Sequence, residues 1–523
     1  MKPPFCHRGR EITTACSFRV LVGGLALLAF CALLIATRRG IGLSSDSLVY
    51  IGVARSLLDG HGVTYLNDIG EFSPVNHYPP LYPSMIAGSA LMGMDPLLAA
   101  KWMNAFFFAG NVILVSAIAL ASTRSYGASV AAAIFVFTSF PMVQIHSMAW
   151  SEPIFVFFGF FGLFLLALYL QGSKRWMLYG AASSIALACL ARYAGIAFVW
   201  TGVFGVFFLA PRGRKKPLAD AIVFSTLSSL PLAAWAFRSV WLAGSAANRT
   251  LGFHPPGGED LITALNSLCL WFFPSGIFEV PVSARLAGLG MGLFLVLRFA
   301  GHKGFPNTRY DQLAGSFLLA YGIFIFTARS FFDTAITFDT RILAPAYVAA
   351  MVLVVAVVAP WMKTKVSRGL LPARFISFCL VVAVTATQAT TGLAWWKHGY
   401  AKGIGFASST WSNSEALQFV NAAGPSRTIF TNAPDVIYML TGRHTAMIPR
   451  KVDPKSRMAN GNYPIEIATM KEQLKKTHGV VVYFDAEQRL WYLPSASELQ
   501  KDAALRLLAR KKDGTIYRLD GSR

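Results

Sequence analysis

Long apolar runs separated by short polar turns recur from Phe18 to Trp396 and then stop. A helix needs about 20 apolar residues to cross the hydrocarbon core of a bilayer, and on that length the pattern predicts about eleven transmembrane helices. Their limits fall at 18–37, 96–121, 127–143, 154–171, 176–191, 194–210, 218–241, 284–300, 312–328, 342–361 and 375–396. The piece from Leu81 to Met94 is too short to cross and is expected to lie along the interface as a helix leading into the second span. The first run follows a basic N-terminus and lacks a small-residue cleavage motif, so it reads as a retained signal anchor.

Beyond Trp396 the periodicity becomes that of a soluble α/β domain. Strands are expected at Arg427–Thr431, Gly479–Phe484 and Thr515–Leu519, and helices at Ala433–Leu440, Pro464–Lys476 and Ser497–Lys511. The chain is therefore divided into a membrane module, 1–396, and a soluble domain, 397–523. Two polar intervals interrupt the module, a first loop at 38–95 and a second at 242–283.

Composition agrees with the pattern: 54% of the 523 residues are hydrophobic and 14% charged, against about 45–50% and about 25% in soluble domains. The net charge of +22 raises the question of nucleic acid, but its placement answers it. Basic residues fill every second loop: Lys2, Arg8 and Arg10; Arg124; Lys174 and Arg175; Arg212, Arg214, Lys215 and Lys216; His302, Lys303 and Arg309; then Lys363, Lys365, Arg368 and Arg374. That is a positive-inside signal. It puts the N-terminus in the cytoplasm of a cell that holds the chain in its inner or plasma membrane, and both large loops and the tail outside. The six cysteines (Cys6, Cys16, Cys31, Cys189, Cys269, Cys379) have no metal-ligand or disulfide-framework spacing. No metal or other cofactor is expected.

The first loop carries the most chemistry. Asp46 opens an amphipathic helix whose apolar face includes Tyr50, Val53, Ala54 and Leu57. A carboxylate there is either a first-turn residue satisfying free amides or a base that deprotonates an incoming hydroxyl or amine. His77-Tyr78-Pro79-Pro80-Leu81-Tyr82-Pro83 is rigid and aromatic, suited to closing a sugar pocket or to an interfacial turn. Glu152, in Trp150-Ser151-Glu152-Pro153, is a second acid at the same face, where ionisable groups mark function or pairing. Against the positive-inside bias, Lys101, Arg192, Arg238, Arg329 and Arg341 stand near outer span ends. Cations of this kind either snorkel to headgroups or bind phosphate oxygens. Arg192-Tyr193 and Asp339-Thr340-Arg341 are the better candidates for phosphate.

In order along the chain, Asp46 with Tyr50 and Ala54 ahead of Gly60-His61-Gly62, Tyr78-Pro79-Pro80-Leu81-Tyr82-Pro83, Ser151-Glu152-Pro153, Arg192-Tyr193, Trp235 to Arg238 and Arg341 to Pro345 resemble the GT-C membrane glycosyltransferases. The nearer resemblance is to dolichyl-phosphate-mannose protein mannosyltransferase-like enzymes and the lipid A aminoarabinose transferase. It implies transfer of a sugar, with inversion, from a polyprenyl-phosphate donor to an extracytoplasmic lipid, glycan or protein. It further implies Asp46 as base and Glu152 as a second acid that holds the acceptor, with Lys101, Arg192, Arg238 and Arg341 on the donor phosphate. Tyr50, His77, Tyr78, Tyr82 and Tyr193 would line the substrate pocket. The sequence has Asp46-Ser47 where the protein mannosyltransferases carry two adjacent acids, and no inserted β-trefoil domain.

Alternative readings are a transporter or flippase of lipid-linked saccharides, an O-antigen ligase- or polymerase-like enzyme, and a membrane scaffold displaying the α/β domain. A transporter predicts ionisable or Gly/Pro-broken sites at mid-membrane in matching halves, whereas the ionisable residues here sit at span ends.

Overall fold

The computed structural model describes residues 5–66, 72–172, 174–210, 217–249, 251–271, 290, 308–363, 371–424, 426–453, 458–485 and 490–520. Its contacts divide the chain into two compact units, Met1–Ile41 with Asn76–Ala401 and Gly42–Val75 with Lys402–Arg523. The first polar loop is therefore split, and Gly42–Val75 groups with the C-terminal residues rather than with the membrane module that the sequence put it in.

The first unit is helical. Its described elements, numbered along the chain, are α1 (Phe5–Ala36), α3 (Leu81–Ala90), α4 (Pro96–Thr123), α5 (Tyr126–Thr138), α6 (Phe140–Ser147), α7 (Glu152–Leu170), α8 (Trp176–Ala191), α9 (Ile196–Phe208), α10 (Pro217–Ala243), α11 (Gly258–Cys269), α12 (Arg309–Phe331), α13 (Thr340–Lys363) and α14 (Leu371–Lys402). Among the described residues six helices are long and apolar enough to cross a membrane: α1 from Ala15, α4, α7, α10, α12, and α13 to Ala359. The pair α5–α6, expected as one span at 127–143, is bent by 51° and makes a seventh if counted as one. Helices α8 and α9 match the expected limits, but 16 and 13 residues reach only about 24 and 20 Å at 1.5 Å per residue. The expected span 284–300 lies outside the described residues. The last, 375–396, is helical within α14, and the side chains of its first residues lie outside the described ones. The chain is a multi-pass membrane protein.

Small residues and aromatic rings set the helix spacing. A Cβ on Gly159 of α7 would lie 2.1 Å from the ring of Phe198 on α9, so the absence of a side chain lets the ring approach. Phe198 in turn stacks on Phe317 of α12, ring centroids 4.1 Å apart. Helix α3, expected along the interface, buries Tyr82, Ile86 and Ala87 on one face.

The second unit is a five-stranded mixed sheet of order β4-β3-β5-β7-β6, with β3 (Ile429–Thr431), β4 (Ala446–Met447), β5 (Val480–Phe484), β6 (Leu505–Lys511) and β7 (Gly514–Leu519). Strands β4, β3 and β5 run parallel, and β7 pairs antiparallel with β5 and β6. Helices α15 (Ser409–Ser412), α16 (Glu415–Ala422), α17 (Pro434–Thr441), α18 (Tyr463–Lys476) and α19 (Ala496–Asp502) complete it. Three strands and two helices fall where the sequence put them. The exception is Ser497–Lys511, expected as one helix: α19 stops at Asp502, Ala504 adopts a left-handed φ of 51°, and Leu505–Lys511 forms a hairpin strand with β7. The turn Lys512-Asp513-Gly514 is a hairpin signal that the helical spacing of Leu505 and Leu508 masked. Arg443 donates to the carbonyls of Val420, Ala423, Gly424 and Arg427 and closes the end of α16.

Helix α2 (Ser45–Leu58) and the hairpin β1 (Thr64–Leu66) with β2 (Phe72–Pro74) belong to this unit, with α2 packed on β1 and α17. Leu43 is bound by backbone on both sides: its N–H donates to Ile404 O at 3.3 Å and its carbonyl accepts from Phe406 N at 3.0 Å. Gly405 between them has φ +58°, and a Cβ there would lie 1.9 Å from Leu43 O. Gly405→Ala is expected to destabilise this junction by more than the roughly 1–2 kcal/mol of a left-handed alanine. Hydrogen exchange at the amides of Leu43 and Phe406 should accelerate, and unchanged exchange would refute the assignment.

Lys451 forms an ion pair with Glu498, whose carboxylate also accepts from Ser495 at the start of α19. The Lys451 hydrogen bond is the main cause that pulls the Glu498 carboxyl from its ordinary 4.5 to about 2. A depressed carboxyl stabilises the fold above its unfolded pKa and loses that contribution as pH falls through the folded one. The contribution is thus full above about pH 4.5 and gone below about 2. Both side chains are half exposed, so the effect is small. Titration by NMR of Lys451→Met protein should find the Glu498 midpoint raised; an unmoved midpoint would exclude Lys451 as its cause.

Candidate functional site

Helix α7 begins at Glu152 with Pro153 in its first turn, and Ser151 precedes it without a side-chain cap. A carboxylate at that end meets the positive end of the helix dipole, and Glu152 is 1% exposed. Two arginines reach it from distant sequence. Arg192 ends α8 in an extended conformation, φ −152° and ψ 141°, and its Nη1 lies 2.7 Å from Glu152 Oε1. Arg341, second residue of α13, places Nε on the same oxygen. Asp339 accepts from the N–H of Ile342 at 2.9 Å, and so caps the turn that carries Arg341.

The pair is enclosed by neighbours that fix its geometry. The Arg341 guanidinium lies 4.0 Å over the Trp150 ring, a cation–π arrangement. Arg192 donates to Ser151 Oγ at 3.3 Å. The buried Tyr321 donates to Ile342 O at 2.7 Å. One carboxylate and two guanidinium groups leave a net charge of +1. Glu152 Oε2 is buried and, among the described residues, has no hydrogen-bond partner. The arrangement combines partly exposed guanidinium groups with one carboxylate oxygen open to another donor.

The other expected site residues fall into separate groups. Tyr193 donates to Asn76 O at 2.7 Å and accepts from Trp235 Nε1 at 3.2 Å. Arg238 lies 4.6 Å over that Trp235 ring. His77 and Tyr78 meet edge to face at 4.6 Å. Lys101 is partly buried on α4 and precedes Trp102, which with Phe30, Met85, Ser89, Met103, Phe106 and Phe107 lines a cavity of about 390 Å³. Tyr82 is fully buried and donates to Asn104 Oδ1 at 3.1 Å, so it is part of the helical core. In the second unit Asp46 is half-buried in the first turn of α2, and Tyr50 is buried on the face beneath it. Arg329 forms an ion pair with Asp260 at 2.8 Å and donates to His254 O, so it ties down the segment leading into α11.

The structure therefore brings together Glu152, Arg192 and Arg341, which the sequence had divided between acceptor and donor. Trp150 and Tyr321 were not singled out. Trp150 adjoins Ser151-Glu152 and had a signal in that position, whereas Tyr321 looks like any aromatic of an apolar span.

This is the fold of the GT-C membrane glycosyltransferases, the class that the ordered motifs resemble. The apo structure of ArnT from Cupriavidus metallidurans matches with a TM-score of 0.59 at 12% identity, over 96% of this chain and 98% of that one. The structure of the same protein bound to undecaprenyl phosphate matches at 0.56 with the same identity and coverage. The archaeal oligosaccharyltransferase AglB from Archaeoglobus fulgidus, in complex with an inhibitory peptide and a dolichol-phosphate, matches at 0.51 and 12% identity, over 88% of this chain and 69% of that one. Residues 67–215 match the dolichyl-phosphate-mannose-protein mannosyltransferase family. That stretch contains His77, Lys101, Glu152, Arg192 and Tyr193 but begins after Asp46. No curated protein sequence matches the chain.

Proposed function

We propose that the protein is a membrane glycosyltransferase that moves a sugar from a polyprenyl-phosphate donor to an extracytoplasmic acceptor with inversion. The observation that carries this reading is the buried Glu152 joined to Arg192 and Arg341 in a fold shared with proteins solved on undecaprenyl phosphate and dolichol-phosphate.

Asp46 takes the proton of the acceptor hydroxyl or amine as its lone pair attacks the anomeric carbon. The bond from that carbon to the phosphate oxygen breaks, and the electron pair leaves on the polyprenyl phosphate. Charge developing on the phosphate is met by Arg192 and Arg341, with Lys101 and Arg238 as further ligands; fixed donors aimed at developing charge are a large source of rate. Glu152 orients the two guanidinium groups through Oε1, and its Oε2 accepts from the acceptor. His77, Tyr78 and Tyr193 border the sugar. The acceptor is a lipid, a glycan or a protein, and the reaction runs on the face opposite the cytoplasm.

The test is release of polyprenyl phosphate and transfer of labelled sugar by purified protein given a panel of polyprenyl-phosphate sugars and membrane-lipid acceptors. Turnover with one donor supports the reading. No turnover with any donor, together with ion- or lipid-driven movement of the intact donor across vesicles, would replace it with a transporter.

A further inference from the structure

The segment from Tyr126 to Leu170 is a chain of three helices with two breaks, one at Ser139 and one at Met148–Ser151. Each break frees backbone groups inside an apolar bundle, where water is scarce and an unmet carbonyl or N–H is costly. Three carboxamides, each at most 1% exposed, meet those groups. At the first break, Gln388 of α14 accepts from Phe140 N at 3.1 Å and donates to Leu270 O at 2.5 Å. At the second, Asn104 of α4 donates to His146 O at 3.1 Å and Met148 O at 2.6 Å. Asn111, two turns further along α4, donates to Pro153 O at 3.1 Å and lies 3.0 Å from His146 Nε2.

The donors of this network each have an acceptor, while Asn111 Oδ1 is buried and has no hydrogen-bond partner among the described residues. Asn111 Nδ2 has two hydrogens, one for Pro153 O and one for His146 Nε2, so that ring nitrogen accepts. His146 Nδ1 then bears the ring proton and donates it to Met142 O at 2.7 Å. Tyr82 donates to Asn104 Oδ1, which orients the amide so that both of its hydrogens point at the corner. The corner held in this way, Met148 to Pro153, contains Trp150 under Arg341 and Glu152 under both arginines. Its backbone is extended at Met148, φ −107° and ψ 146°, and the helical ladder of α7 resumes only at Ser151 O, which accepts from Phe155 N at 3.1 Å.

We propose that Asn104 and Asn111 are positioning residues that set the Glu152 carboxylate between Arg192 and Arg341 by clamping the corner from α4. The proposal rests on the reading of Glu152 given above, and it assigns a task to two buried amides that touch neither donor nor acceptor. Leucine is close to asparagine in size and has no donor, so Asn104→Leu and Asn111→Leu remove the clamp, the first together with the acceptor of the Tyr82 hydroxyl and the second together with the donor to His146 Nε2.

The experiment is a double-mutant cycle in the full-length protein with Glu152→Gln. Asn104→Leu is expected to lower kcat by about tenfold or more with KM within about threefold, and to cost less than about threefold once Glu152 is already Gln, as residues that act as a unit are non-additive. A full multiplicative loss in both backgrounds, or no loss in either, overturns the proposal. Hydrogen exchange over 148–155 decides the clamp without any sugar donor. Faster exchange there in Asn104→Leu and Asn111→Leu, at unchanged exchange in α7 beyond Phe160, is expected. Unchanged exchange at the corner overturns the clamp even if Glu152→Gln is inactive, whereas a fully active Glu152→Gln protein refutes the role of Glu152 itself. Should Asn104→Leu fail to fold, Asn111→Leu carries both readouts.

Discussion

Asp46→Asn is expected to reduce sugar transfer by roughly a hundredfold or more, the usual scale for a general base, while the protein folds as before. Asparagine is nearly isosteric and tolerated in a first helical turn. The favourable interaction of a carboxylate with the helix start is lost, worth about 0.3–1 kcal/mol. Asp46 is half-buried at that start, and Tyr50 and Ala54 of the same helix are buried. The amide cannot take up a proton from the acceptor, so the loss should appear in kcat and persist across pH. Initial rates and melting curves of the two proteins decide it. Unchanged turnover moves the base elsewhere, with Glu152 the next residue to replace.

Glu152→Gln is expected to cost both activity and stability. The variant leaves two guanidinium groups side by side with no anion in a buried setting, and breaking a buried pair from one side costs about 3–5 kcal/mol. Misaligned cations at the departing phosphate should lower kcat by about 10²–10³. The two effects separate in Glu152→Gln/Arg341→Met, where the excess charge is relieved. Melting temperature should recover most of the loss, and turnover should not. Recovery of both would reduce the cluster to a folding device, and recovery of neither would mean that Arg192 alone is the partner Glu152 needs.

Much of the fold was legible because it depends on local pattern. Apolar runs gave α4, α7 and α12 nearly at their observed limits, since a bilayer demands length and hydropathy that few other contexts do. The strand at Val480–Phe484 was equally plain, five buried residues between turns. Leu505–Lys511 was not, because its leucines repeat at helical spacing while its partner in the sheet is β7. The bend at Ser139 was hidden for a related reason: hydropathy continues through it, and only Pro141 hints that the backbone does not. For the site, the motifs stood in order along the chain, but which of them meet did not follow from order. Glu152 and Arg341 are 189 residues apart and join through the packing of α7 against α13. Asn104, Asn111 and Gln388 had no sequence signal at all, because an amide in a span acquires meaning only from carbonyls freed by a break elsewhere.

The bond between Leu43 and the Ile404–Phe406 turn has a consequence in time. Its two sides, and the whole second unit, come from stretches separated by the residues between Val75 and Lys402. At about 5–20 residues per second a ribosome needs on the order of twenty seconds to a minute to make that interval. Helix α2 is made well before Pro434–Thr441 and waits for that helix, α17, against which it packs. The stretch from Asn76 to Ala401 is thus made in full before the segment that bears Asp46 gains that contact.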